Sequence, residues 1–211
     1  PACDQDGRST SYFDRSGGTG PDSSLVLYLK PADGSAPAHV IARVDRSIAE
    51  SAWSPDGKWV LLRTYSNQRG AGDILGLRFG VDSTPTPLIA TEAAEVQPTI
   101  SPDGRWLAYV TDKSGRQEVV VVPFPNVQGA LWSISTDGGS EPKWSRSGRE
   151  LFYRNARGDM VRVPIVPGSS FAFGAPKRLF SATQFRAYSG HAEYDVSPDG
   201  QRFLMGAPAR T

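Results

Sequence analysis

The tetrapeptide Ser-Pro-Asp-Gly occurs three times, at Ser54–Gly57, Ser101–Gly104 and Ser197–Gly200, and a degenerate copy, Ser145-Arg146-Ser147-Gly148, stands between the last two. The corner serines are 47, 44 and 52 residues apart. That spacing is too long for helical or leucine-rich repeats of about 20 to 35 residues and suits a four-stranded antiparallel unit of about 40 to 50. Each corner has the chemistry of a tight turn. Proline sets φ near −65°, aspartate accepts from the backbone two residues on, and glycine supplies the left-handed conformation that other residues resist.

Apolar strands flank every corner. The strand before it ends in Ser51–Trp53, Pro98–Ile100, Pro142–Trp144 or Tyr194–Val196, and the strand after it covers Trp59–Leu62, Trp106–Val110, Leu151–Tyr153 or Phe203–Met205. Third strands follow at Ile74–Phe79, Val119–Val122 and Met160–Ile165, and fourth strands at Pro87–Ala90, Leu131–Ser135 and Arg178–Phe180. No helical period occurs between them, so the fold class is all-β, a β-propeller of four-stranded antiparallel blades. Ser11–Phe13, Leu25–Leu29 and His39–Ala42 fit the same pattern, with Asp6-Gly7 and Asp14-Arg15-Ser16-Gly17 as its turns and only Pro1–Cys3 left for an innermost strand. About four and a half blades result, at roughly 1–48, 49–94, 95–138 and 139–190 with a half-blade at 191–211. Either the half-blade is completed from the N-terminal side, or residues 1–211 are the C-terminal part of a larger propeller. In either case exposed edges at Ser9–Phe13 or Arg202–Met205 invite self-association. In the second strands, Val60, Leu107, Leu151 and Phe203 share one repeat position, and Leu62, Tyr109, Tyr153 and Met205 lie two residues on. Both sets point to one face of a pleated strand and are expected to pack between blades.

Charge narrows the partners. Twenty-three Lys and Arg stand against 22 Asp and Glu, with no block of one sign, which argues against nucleic acid or a polybasic membrane patch. No apolar run approaches the ~18 residues of a membrane span. A single cysteine, Cys3, precludes an internal disulfide and a cysteine-based metal cluster within the chain.

The most site-like residues are set by position. Glu50, Gln97, Glu141 and Glu193 each lie four residues before a corner serine, one at the start of every innermost strand. They are expected to ring one mouth of the channel. There they hold a cation or a partner's basic side chain, or accept hydrogen bonds from the backbone of a neighbouring blade, or, as a converging pair, perform acid/base chemistry. His39 and His191, the two histidines, begin an outer strand and precede an inner one, which does not suggest a shared metal. Trp53, Trp59, Trp106, Trp132 and Trp144 are assigned to core and rim packing, because Glu150 and Arg202 interrupt the position that Trp59 and Trp106 share. Gly70-Ala71-Gly72 is read as a hairpin tip, since no helix follows to cradle a phosphate. No Gly-x-Ser-x-Gly elbow occurs, so no α/β-hydrolase nucleophile is present.

With these motifs in hand the chain resembles the WD-like propeller repeats of the TolB type, whose corners run Ser-Pro-Asp-Gly-Lys/Arg into an aliphatic strand, as in Ser54–Leu62 and Ser101–Val110. Val119–Pro125, Glu141–Ser145, Gly148–Tyr153 and Tyr194–Met205 further resemble the C-terminal propeller of bacterial serine/threonine protein kinases and TolB-like proteins. The fourth corner departs from the pattern at Arg146 and Ser147. The resemblance implies a non-catalytic sensor or binding module, extracytoplasmic, without a cofactor, that recognises a protein, peptide or small ligand at its channel mouth. The alternatives are a propeller hydrolase or lyase that acts on a sugar or lactone through channel carboxylates, and the propeller of a prolyl oligopeptidase-like enzyme.

Overall fold

The computed structural model describes residues 2–3, 9–14, 25–65, 72–187 and 190–207. Among them there is no helix, and the fold is a β-propeller of antiparallel blades. The first blade joins β1 (Ala2–Cys3), β2 (Ser9–Asp14), β3 (Leu25–Pro31) and β4 (His39–Val44) in chain order. The second joins β5 (Ile48–Trp53), β6 (Trp59–Thr64), β7 (Ile74–Arg78) and β8 (Thr86–Ile89) in the same way. The third is built from β9 (Glu95–Ile100), β10 (Trp106–Thr111), β11 (Glu118–Pro123) and β12 (Trp132–Ser133). The fourth is built from β13 (Gly139–Trp144), β14 (Glu150–Asn155) and β15 (Asp159–Val166), whose outer edge carries both β16 (Ala172–Phe173) and β17 (Lys177–Ser181). A two-stranded piece, β18 (Tyr194–Val196) and β19 (Phe203–Met205), follows. The chain divides into two compact units, Pro1–Glu95 and Val96–Thr211. The expected turns at Asp6-Gly7 and Arg15-Ser16-Gly17, and most of the Gly70-Ala71-Gly72 tip, lie outside the described residues; Gly72 itself makes a parallel bridge to Ala94.

The corners are built as their composition dictates. At the first, the Ser54 hydroxyl donates to Asp56 Oδ1 (2.6 Å) and accepts from the Trp59 amide (2.9 Å), while Asp56 Oδ1 also takes the Lys58 amide (3.1 Å). The same bonds recur around Ser101–Asp103 and Ser197–Asp199. In the degenerate corner Ser147 stands in for aspartate: its hydroxyl lies 3.1 Å from Ser145 Oγ and accepts from the Arg149 amide at 3.3 Å. The turn survives with neutral, longer bonds in place of charge-assisted ones.

Alternation along the second strands sorts side chains between neighbouring blades. Val60 and Leu62 of β6 pack with Leu25, Leu27, Ala42 and Val44 of the first blade. Leu151 and Tyr153 of β14 pack with Ala108, Val110, Val119 and Val121 of the third. Phe152, on the opposite face of β14, joins Met160, Tyr194, Phe203 and Met205. The second strands β6, β10 and β14 are thereby buried on both faces, which explains why β6 and β10 run as near-continuous apolar segments.

The fourth blade differs from expectation at its outer edge. Fourth strands were expected as single segments, yet β15 is eight residues long and outreaches β17, which pairs with its Asp159–Arg162 end. Phe171–Phe173 doubles back to cover the remainder, with Ile165 opposite Phe173 and Val166 opposite Ala172. Phe171 is buried there among Trp106, Trp132 and Trp144. The aromatic cluster that Phe171 completes is reason enough for the extra turn of chain. In the third blade the expected fourth strand, Leu131–Ser135, narrows to β12, and the Ile134 and Ser135 amides both turn onto the Val119 carbonyl.

Candidate functional site: a relay of inner-strand side chains

Within the second unit, Gln97, Glu141 and Glu193 are brought into one chain of contacts. Gln97 Oε1 accepts the Glu141 amide at 2.6 Å, and Glu141 Oε2 accepts the Glu193 amide at 3.3 Å. The side chain of each inner strand therefore satisfies the backbone at the start of the next. Tyr194, the residue after Glu193, closes the link by donating its hydroxyl to the Glu141 carbonyl at 2.8 Å. Burial, with the Glu141 charge nearby, pushes the Tyr194 phenol well above its ordinary range, so it stays a donor.

The backbone pays local strain to make this geometry. Gln97 and Glu141 both sit at φ 57°, a left-handed conformation that costs a non-glycine residue of order 1–2 kcal/mol. Each precedes a proline, Pro98 and Pro142, which already disfavours the right-handed helical region. The register of β13 breaks between Ser140 and Lys143 at this point. The bulge turns the side chain along the strand start and frees the amide to face the preceding blade.

A second pattern runs within blades. Nine residues after the corner serine stand Arg63, Val110, Arg154 and Gly206. Arg63 Nε donates to Glu50 Oε1 at 2.9 Å, and Arg154 Nε lies 3.5 Å from Glu141 Oε1 with only 5% and 1% of the two side chains exposed. Where the acid position is Gln97, the arginine position is Val110. In the second, third and fourth blades charge and counter-charge thus come and go together, as the cost of an unpaired buried ion demands, whereas the half-blade sets Glu193 against Gly206. Arg154 also donates to the Ala182 and Arg186 carbonyls, both at 2.9 Å, which ties the approach to the half-blade onto β14. Glu193 has a different partner: its Oε1 lies 3.0 Å from His191 Nε2, with the two side chains 26% and 56% exposed.

The four expected mouth residues are therefore placed as follows. Glu50 lies in the first unit against Arg63, Gln97 and Glu141 are buried in the second, and Glu193 is partly open to solvent beside His191. All four stand four residues before a corner serine, and the sequence alone did not connect Arg63, Arg154, Tyr194 or His191 with them. Counting nine residues forward from the corners exposes the arginine series. The indoles also have a shared task, since Trp53 Nε1 donates to Ser11 Oγ and Trp144 Nε1 to the Thr99 carbonyl, both at 3.1 Å and both to the preceding blade. Among the described residues no group of three or more His, Cys, Asp or Glu is arranged to hold a metal ion, and no helix is long and apolar enough to cross a membrane.

No protein-family model matches the chain, and no curated protein matches it in sequence. Solved structures do share its fold. The TolB of Acinetobacter baumannii superposes with a TM-score of 0.67 at 18% identity, over 95% of this chain and 47% of that one. The periplasmic gluconolactonase of Pseudomonas aeruginosa gives 0.64 at 18% identity, over 97% and 63%. An oligogalacturonate lyase in complex with manganese gives 0.70 at 11% identity, over 97% and 60%. The chain thus spans about half the length of that TolB, and these likenesses establish the fold. They also correct one expectation, that the chain is not an enzyme: the same fold carries a lactonase and a lyase, so a propeller of this kind does not favour a non-catalytic reading. What the comparisons support is a β-propeller with TolB-like solved neighbours.

Proposed function

We propose that this chain is the ligand-recognising part of a TolB-type propeller and takes a protein or peptide partner through a basic side chain at the strand starts. The observation that carries the reading is Glu193. Its carboxylate is partly exposed and joined to an exposed imidazole, and its amide is held by the buried Glu141. Gln97 and Glu141 then act as positioning residues, and Glu50 is the corresponding acid of the first unit. A rigidly backed carboxylate is the group a partner's lysine or arginine pairs with. An extracytoplasmic location is proposed with it, in keeping with the periplasmic lactonase among the structural neighbours, and so is a sensor role in a larger protein.

A second reading has its own support in the His191–Glu193 pair, the arrangement in which a carboxylate orients an imidazole as a general base. It makes the chain part of a hydrolase or lyase for a sugar acid or lactone. Titration with lysine- and arginine-containing tripeptides, and turnover assays with aldonolactones and oligogalacturonate, separate the two. Binding of basic peptides that weakens in Glu193→Gln supports the first. Turnover lost in both His191→Ala and Glu193→Gln supports the second and displaces the first.

A further inference from the structure

At the corner end of the third and fourth blades, opposite the strand starts that carry Gln97 and Glu141, lies a cleft of about 230 Å³. Its floor is apolar, formed by Trp106, Ile165 and Phe171, and Asp103 and Arg149 stand on its rim. We infer that this cleft is a second binding site, for a peptide segment that places one aromatic or aliphatic side chain on the floor and an adjoining carboxylate against Arg149.

Three independent observations lead there. The first is that the cleft is preformed. Arg105 stacks over the Trp106 ring at 5.1 Å and donates to the Gly168 and Ser169 carbonyls at 2.8 and 2.7 Å, so one wall is pinned to the loop between β15 and β16 by a cation that is itself satisfied. The second is apolar exposure. Val166, on the lining, is 52% exposed, whereas Met160, Val161 and Val163, earlier in the same strand, are buried, so apolar surface is open beside the floor. The third is charge. Asp103 is taken up by Ser101 and lies 3.9 Å from Arg105, whereas the exposed Arg149 guanidinium makes no ion pair among the described residues. Arg105 and Arg149 occupy one repeat position, four residues after the corner serine. Arg105 grips a loop of the next blade and Arg149 holds none.

Size selects the occupant. Pockets that enclose a whole small molecule are about 300–1,000 Å³, and this one takes a single side chain while the rest of the ligand runs outside. A peptide meets that condition, and the unspent positive charge asks for an acid next to the anchor.

The probes are acetyl-Phe-Asp-amide and acetyl-Phe-Asn-amide, titrated by NMR against the wild-type chain, Arg149→Gln and Val166→Asp. The acidic probe is expected to shift the Trp106 indole resonance. Its affinity is expected to fall about threefold in Arg149→Gln and about threefold when Asp is replaced by Asn, the effect of losing one exposed ion pair. Val166→Asp is expected to abolish binding. The melting temperature of each variant identifies a folding defect, and Arg149→Lys, which keeps the charge, is expected to retain binding. Equal binding of the two probes, no effect of Arg149→Gln, or resonance shifts confined to residues around Glu193 would overturn the proposal. So would 3-phenylpropanoate binding as tightly as the acidic peptide, because the ligand would then be a free aromatic acid.

Discussion

At Gly104 the backbone has φ 72°, and nothing lies within 4 Å of where a Cβ would stand. A side chain there meets open space, so any cost of adding one is conformational. Gly104→Val is expected to lower stability by about 1–2 kcal/mol, the penalty for a β-branched residue in left-handed backbone; an unchanged urea midpoint would contradict the turn as described. The carboxyls of the corners make a second residue-scale expectation. The Ser54 hydroxyl holds Asp56 below its ordinary value of 3.8, and the Ser197 hydroxyl does the same for Asp199. A depressed folded value means that the stabilisation is fully present above the unfolded value and is lost as pH falls through the folded one. The melting temperature is therefore expected to drop below about pH 4, and less steeply in Ser54→Ala combined with Ser197→Ala. Equal acid sensitivity in the two proteins would remove the corners from the account.

Strands and corners were legible because their chemistry is local. Proline, aspartate and glycine at fixed offsets specify a turn, and β3, β4 and the second strands that follow the four corners come from short runs of aliphatic and aromatic residues. The left-handed backbone at Gln97 and Glu141 was not legible, since neither residue prefers it; the amide of the next blade and the following proline impose it. Nor was β16, two residues whose pairing depends on a cavity that only the packed blades create. The pairing of Glu50 with Arg63 and Glu141 with Arg154 lay in the repeat alignment, but it needs the hairpin register to bring positions four before and nine after the serine together. This element-scale regularity can be tested by transplanting the neutral pair of the third blade. Glu141→Gln alone leaves Arg154 buried without its counter-charge and is expected to cost about 3–5 kcal/mol. Glu141→Gln with Arg154→Val copies Gln97 and Val110, and is expected to cost less than the sum of the two single changes by more than about 1 kcal/mol in a thermodynamic cycle. It does not return to wild type, because the Ala182 and Arg186 carbonyls lose their donor. Additive single changes would mean that the 3.5 Å pair contributes nothing specific.

At the scale of the whole molecule, β18 and β19 form the one two-stranded sheet among the described residues. Among the described residues β19 pairs on one side only, with β18, in the register Tyr194–Met205 to Val196–Phe203. In every other blade the second strand is paired on both sides, by the first and the third. Leu204 is 77% exposed on this strand, and its neighbours Phe203 and Met205 are turned into the cluster with Phe152 and Met160. An edge with an outward leucine and no proline, lysine or bulge within β19 lacks the devices that discourage strand pairing between molecules. The chain is accordingly expected to associate in light scattering at micromolar concentration, through pairing at β19. Leu204→Lys is expected to shift it towards monomer while leaving the melting temperature within about 0.5 kcal/mol of wild type in free-energy terms, since the side chain makes little contact in the folded chain. An N-methylated peptide of the sequence Phe-Leu-Met, which covers an edge with one face and offers none with the other, is expected to do the same without any mutation. A concentration-independent monomer, or association that Leu204→Lys leaves intact, would remove β19 as the contact and leave the exposed leucine without a partner.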